Sequence, residues 1–206
     1  MTAALSLAPP PAGLSLEAVR VRRIRGPNVG LARRWFLKRE GERGWQAFLA
    51  TLSAPCRAVF AERIGMYEWV DEAHYTEVTL GLSRHTRDHD PFKAGEVAAR
   101  EELTTLNRWI LRVLSPSFLI SNLPRLWAFY MDGGAVHIEH LEPGSCSLSV
   151  YAIGFVPQVF HPGMSGWISA GLALTGAKEV RVEYTGPEAG AGGLEGCRHH
   201  FELAWR

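Results

Sequence analysis

The chain reads as an α+β protein: a helical N-terminal layer packed on a four-stranded antiparallel sheet with one inserted helix. Three observations predict it. Apolar residues recur at helical spacing from residue 28 to about 131. After Gly133-Gly134 the period switches to the two-residue alternation of strands. One further helical stretch, SGWISAGLALTG (165–176), interrupts the alternating segments and gives the order β-β-α-β-β.

The helical elements follow in order. Asn28 can cap a helix over 29–40, and Gly41 can end it. A second helix, 42–52, carries Trp45, Phe48 and Leu52 at helical spacing. Ser53 caps a third over 54–64, with Pro55 in the first turn, where a missing N–H costs nothing. Residues 69–83 form a fourth. The loop RHTRDHD ends in Asp90-Pro91, a start signal for a helix reaching about Leu114. Its apolar stripe is Ala99, Leu103, Leu106, Ile110 and Val113. Ser115-Pro116 opens another helix, which Pro124 kinks or splits.

The strands alternate cleanly. AVHIEHLE (135–142) sets Val136 and Ile138 against His137 and Glu139. SCSLSVYAI (145–153) turns Cys146, Leu148 and Val150 inward, and Glu142-Pro143-Gly144 between the two is hairpin chemistry. KEVRVEY (178–184) and CRHHFELAW (197–205) alternate as well, joined by a Gly-rich connector, so they are expected to pair antiparallel.

Composition narrows the function. Of 206 residues, 47% are hydrophobic, which supports a sizeable core and excludes global disorder. With 22 Lys+Arg against 21 Asp+Glu, the near-zero net charge argues against a nucleic-acid coat. No apolar run reaches the roughly 18–20 residues of a membrane helix. Residues 1–15 are small and Pro-rich without signal-peptide features, so they are expected to be a disordered tail. Neither half of the remainder can bury its apolar face alone, so 16–206 is expected to be a single domain. Three cysteines, none in a CxxC, fit a reducing, cytoplasmic setting.

Little here points to a reaction. Ser165 lacks the G-x-S-x-G frame, and GPEAGAGG lacks the Lys-Ser/Thr of a phosphate loop. His85 and His89 are four apart, but in a polar loop without an HExxH frame. Cys197 and His199 share strand parity, and Cys146 lies on another strand; together they are the weak candidates for a soft-metal site. Read plainly, the cysteines are small core hydrophobes. Aromatic density marks a ligand pocket built from Phe118, Trp127, Tyr130 and Met131, with Leu148 and Val150 as floor and Trp167 closing it. Nine basic residues fall within 20–44 against Glu40 and Glu42. Arg22, Arg23, Arg33 and Arg34 there could form a partner surface, or a face balanced by acidic residues of the same chain.

The run SPSFLISNLPRLWAFYMDGG, then a hairpin, GWISAGLALTGAKEVRVEY and CRHHFELAW, resembles an uncharacterised family found mainly in myxobacteria. That family looks distantly like 4-vinyl-reductase-type domains, haem nitric-oxide-binding-like domains and TRAPP-type trafficking subunits. The resemblance implies a helical layer on an antiparallel sheet, a homodimer, and a sensor or adaptor role. Zinc-binding relatives of the first type carry Glu-x-x-Cys; here Glu183 is followed by Gly186, so one ligand is missing. A haem would want a proximal His on a helix over an apolar cavity, and His74 alone lies well inside a predicted helix. The expected function is therefore a non-enzymatic module, without a cofactor, binding a small apolar ligand or a signalling protein. The rival is a metal-dependent protein or enzyme using Cys146, Cys197 and His199.

Overall fold

The computed structural model describes residues 9–65, 67–85, 90–113, 115–155, 157–186 and 191–206. Two three-residue strands, β1 (Arg23–Arg25) and β2 (Trp69–Asp71), pair antiparallel and tie the start of the fold to its helical half. Between them lie α1 (Gly26–Leu49) and α2 (Ala54–Ala61). Gly41 breaks α1 at φ +70°, a left-handed conformation that favours a residue without a Cβ, so α1 is two helices end to end, as the sequence predicts. Ser53 caps α2, its hydroxyl accepting from the Cys56 N–H at 3.4 Å.

The helical layer continues with α3 (Glu72–His85), α4 (Pro91–Val113), α5 (Pro116–Ser121) and α6 (Leu123–Tyr130). The helix expected across 116–131 is split at Asn122, one residue before Leu123-Pro124 opens α6. In α4, Ala99 and Leu103 are buried; the side chains of Leu106, Ile110 and Val113 lie outside the described residues, as does His89.

The sheet is antiparallel throughout, in the order β3-β4-β6-β5. Its strands are β3 (Ala135–Glu142), β4 (Ser145–Tyr151), β5 (Arg181–Thr185) and β6 (Arg198–Ala204). Glu139 is an extra residue in β3, since Ile138 pairs with Leu148 while His140 pairs with Ser147. One inserted helix, α7, runs from Pro157 to Leu174, eight residues longer at its start than expected. The α+β class and its four strands stand as read from the sequence.

Cross-strand register sorts the two faces. Leu148 opposite Phe201, Val150 opposite His199 and Tyr184 opposite Phe201 face the helices. One continuous core joins Trp45, Phe48 and Ile120 of the helical half to Leu148, Ile168 and Phe201. On the other face, Val19, Tyr151 and Cys197 form a separate small cluster that Leu14 packs against. Packing thus begins within the segment expected to be a disordered tail; residues 1–8 lie outside the described residues. Among the described residues, no helix is long and apolar enough to cross a membrane.

Helices α4 and α7 approach each other closely. A Cβ on Gly95 would overlap the carbonyl oxygen of Gly163, and one on Gly166 would overlap that of Phe92. The two backbones touch where side chains would otherwise separate them by the usual 8–10 Å between axes.

Candidate functional site

Helices α3, α4, α6 and α7 meet β3 and β4 around a cavity of about 190 Å³. Tyr75, Thr79 and Leu82 come from α3, Ala94 and Ala98 from α4, and Leu123, Leu126, Trp127 and Tyr130 from α6. Val136, Leu148 and Val150 make the floor; Phe155, Phe160, Met164 and Trp167 close the side toward α7. The cavity lies where the short α6 follows the break at Asn122.

Three of its polar groups bond within the protein. The Thr79 hydroxyl donates to the Tyr75 carbonyl at 2.8 Å, and Thr76 to Glu72. The Trp127 indole N–H donates to the Gly133 carbonyl at 2.8 Å. Apart from the heteroatoms of Tyr75, Tyr130 and Trp167, what remains is an apolar surface of rings and branched chains. Phe155 and Phe160 stack at 4.4 Å, and the Trp127 ring stands edge-on to both.

Of the residues expected to line a pocket, Trp127, Tyr130, Met131, Leu148, Val150 and Trp167 are in this wall. Phe118 is not: in the first turn of α5 it points outward and is 50% exposed. Sequence reasoning missed the α3 and α4 contributions, because the cavity forms between helices distant in the chain.

The cysteine-centred site does not assemble. Cys146 pairs with Leu203, four residues along β6 from His199, or roughly 13 Å at strand rise. Cys197 is not in the strand at all. It sits in a 3₁₀ turn (Glu195–Cys197) and packs with Val19 and Tyr151 on the other face of the sheet. Burial pushes the Cys146 thiol up to about 12 and raises that of Cys197, so both stay protonated. Among the described residues, no three His, Cys, Asp or Glu side chains gather as a metal site.

His199 has other companions. From α7, His161 brings its Nε2 to 2.9 Å from His199 Nδ1. From β5, the Tyr184 hydroxyl lies 2.8 Å from His161 Nε2 and 3.1 Å from His199 Nδ1. Burial lowers the His161 pKa to about 4, with the neighbouring His199 adding to the effect, and burial lowers that of His199 too. The phenol of Tyr184 is pushed up to about 12, again by burial. All three are neutral at pH 7. An unfolded imidazole takes its proton near 6.5, whereas His161 in the fold resists until about 4. Between those values the unfolded chain binds more protons, so stability should fall as pH drops through that window. Chemical denaturation of wild type and His161→Gln from pH 7 to 4 checks this: the variant should show the flatter profile.

Three of the four arginines considered as a partner surface have acidic partners within the chain. Arg22 bridges to Glu17, Arg23 to Asp132 at 3.0 Å and Arg34 to Glu101 at 2.9 Å. Arg33 buries its Nε.

The outer sheet face holds a buried polar network. Arg198, 4% exposed, donates to Ser149 Oγ at 2.8 Å and to Glu139 Oε1 at 2.6 Å. Burial pulls the Glu139 carboxyl upward, but hydrogen bonds from Ser149 and Arg198 outweigh it and hold it below its usual range. Alternation from Val136 and Ile138 already puts Glu139 on this face, and the bulge lets His140 stay on it while Leu141 returns to the core.

No protein-family model matches the chain, and no curated protein does. Solved structures do. A Fe(II) unliganded H-NOX protein from K. algicida superposes with a TM-score of 0.65 at 10% identity, over 89% of this chain and 97% of that one. An H-NOX protein from S. oneidensis in the Fe(II)NO ligation state gives 0.63 at 10% identity, over 89% and 99%. A point mutant of T. Tengcongensis H-NOX gives 0.58 at 11% identity, over 89% and 98%. Of the resemblances read from the sequence, the haem nitric-oxide-binding-like one is therefore the one that the architecture bears out: this chain has the H-NOX fold.

Proposed function

We propose that this chain is a ligand-binding sensor module that holds one small apolar molecule in the cavity beneath α6 and α7, and that it does so without haem. The cavity carries the reading. At about 190 Å³ it is slightly larger than an engineered cavity of about 150 Å³ that binds benzene. A single-ring aromatic or a short hydrocarbon chain fits this space. With the Thr76, Thr79 and Trp127 donors already engaged and most of the wall apolar, selection rests chiefly on shape.

Haem is the group that the fold implies, since structures of this fold are described by their iron state. The residues do not fit it. A porphyrin is several times the size of benzene. Among the described residues, no histidine or cysteine lines the cavity; His74 lies outside it, and His161 and His199 stand behind Phe160. No described Lys or Arg lines it either, so two propionates would meet no counter-charge.

Thermal melts with benzene, toluene, indole, hexanol and octane test the proposal. A ligand at about 100 times its Kd adds about 2.7 kcal/mol, or roughly 5–10 °C for a domain of this size. Ala98→Phe should fill the cavity from α4 and abolish the shift while the protein still melts cooperatively. Absence of any shift with the wild type counts against the ligand. A one-to-one haem complex surviving gel filtration counts against the haem-free reading.

A further inference from the structure

The helix α7 and the two strands that follow it aim three heteroatoms at one place. His161 comes from α7, Tyr184 from β5 and His199 from β6, and their Nε2, Oη and Nδ1 atoms lie 2.8–3.1 Å from one another. The function proposed above uses none of them.

Proton counting gives two hydrogen bonds for three contacts. The other ring nitrogen of His199 faces the Ala152 carbonyl at 3.4 Å. A carbonyl only accepts, so the ring proton belongs on Nε2 and Nδ1 presents a lone pair. Tyr184 has one proton to donate. If His161 Nε2 is protonated, it donates to the Tyr184 oxygen, which in turn donates to His199 Nδ1, and the contact between the two imidazoles is left without a proton of its own. If it is not, two imidazole lone pairs face each other at 2.9 Å. No tautomer satisfies all three contacts, and one cation between the atoms would.

From this geometry we infer a divalent transition-metal site of the zinc or copper class, with His161, His199 and Tyr184 as its ligands. Donors around a tetrahedral ion at about 2.0–2.1 Å stand roughly 3.3 Å apart, so the three atoms need spread by only a few tenths of an ångström. Imidazole nitrogen suits these ions, and both rings are neutral at pH 7, as ligation requires. A backbone carbonyl behind one ligating imidazole is the usual second-shell partner that fixes its tautomer. Tyr184 binds as phenolate, its proton passing to solvent, one per ion. Three protein ligands leave a fourth position open. His161 and Tyr184 are only partly buried, which gives the ion a path in. This inference stands apart from the apolar cavity, and either can fail without the other.

Calorimetric titration of the metal-free protein with Zn²⁺ should give one equivalent per chain. His161→Ala and His199→Ala should each weaken it by at least about tenfold, since even changes behind a ligand cost about 10–100-fold. With Cu²⁺ the wild type should show a phenolate-to-copper band that Tyr184→Phe removes. X-ray absorption on the zinc-loaded wild type needs no variant, and should show two imidazoles in the first shell. No stoichiometric binding, an unchanged affinity in the His161→Ala/His199→Ala double variant, or a first shell without two imidazoles would each overturn the site.

Discussion

Gly166→Val should destabilise the protein by more than about 4 kcal/mol, and Gly95→Val by a similar amount. At both positions the new side chain meets backbone: the carbonyl oxygen of Phe92 at Gly166, and that of Gly163 at Gly95. A flexible neighbour could rotate away, but a helix backbone cannot, so α4 and α7 must separate along their length. Gly163→Ala is the matched control. Its Cβ would find only the Pro91 carbonyl oxygen at an ordinary 3.8 Å. Removing a glycine from the interior of α7 should then leave stability unchanged, or raise it by up to about 1 kcal/mol. Equal melting midpoints for Gly163→Ala and Gly166→Val would refute the backbone contact.

Arg198→Met should cost about 3–5 kcal/mol, because it leaves the Glu139 carboxylate buried without its counter-ion. The Glu139 side chain is 8% exposed, and only Ser149 and His200 remain near it. The loss reports a stranded charge rather than the worth of the pair. Arg198→Met with Glu139→Leu should therefore recover most of the stability, as apolar replacement of a whole buried pair often does. A double variant as unstable as the sum of the singles would mean that Arg198 acts through Tyr151 packing instead, its guanidinium lying 5.8 Å from that ring.

The strands and most helices were legible because one face of each is buried, which writes the period into the chain. Pairing of β5 with β6 and the break at Gly41 both follow from local chemistry. The start of α7 was not legible. The helix was placed from Ser165, yet Val159, Phe160, Gly163, Met164 and Trp167 already hold helical spacing across Pro162. That misplaced start left His161 in a presumed loop and hid its meeting with His199. Cys197 misled for the opposite reason: alternation counted back from Phe201 runs past the true start of β6 into a 3₁₀ turn. The strands β1 and β2 are too short for any period to show. No pattern in one chain encodes the approach of α4 to α7, since Gly95 and Gly166 carry their meaning only as a pair.

The order of the sheet has a consequence for biosynthesis. Strand β6 is the last of the four to be made, yet it lies between β4 and β5. Once β3 and β4 have formed their hairpin, the free edge of β4 must wait through α7, β5 and the Gly-rich connector for β6. In that interval a nascent chain presents an open strand edge beside Leu148 and Val150, the kind of surface that recruits other chains. Strand β5, whose only partner among the described residues is β6, has nothing to pair with until the same moment. The sheet therefore closes in one late step, and the interval before it is when a translating ribosome or a chaperone has to shield the chain.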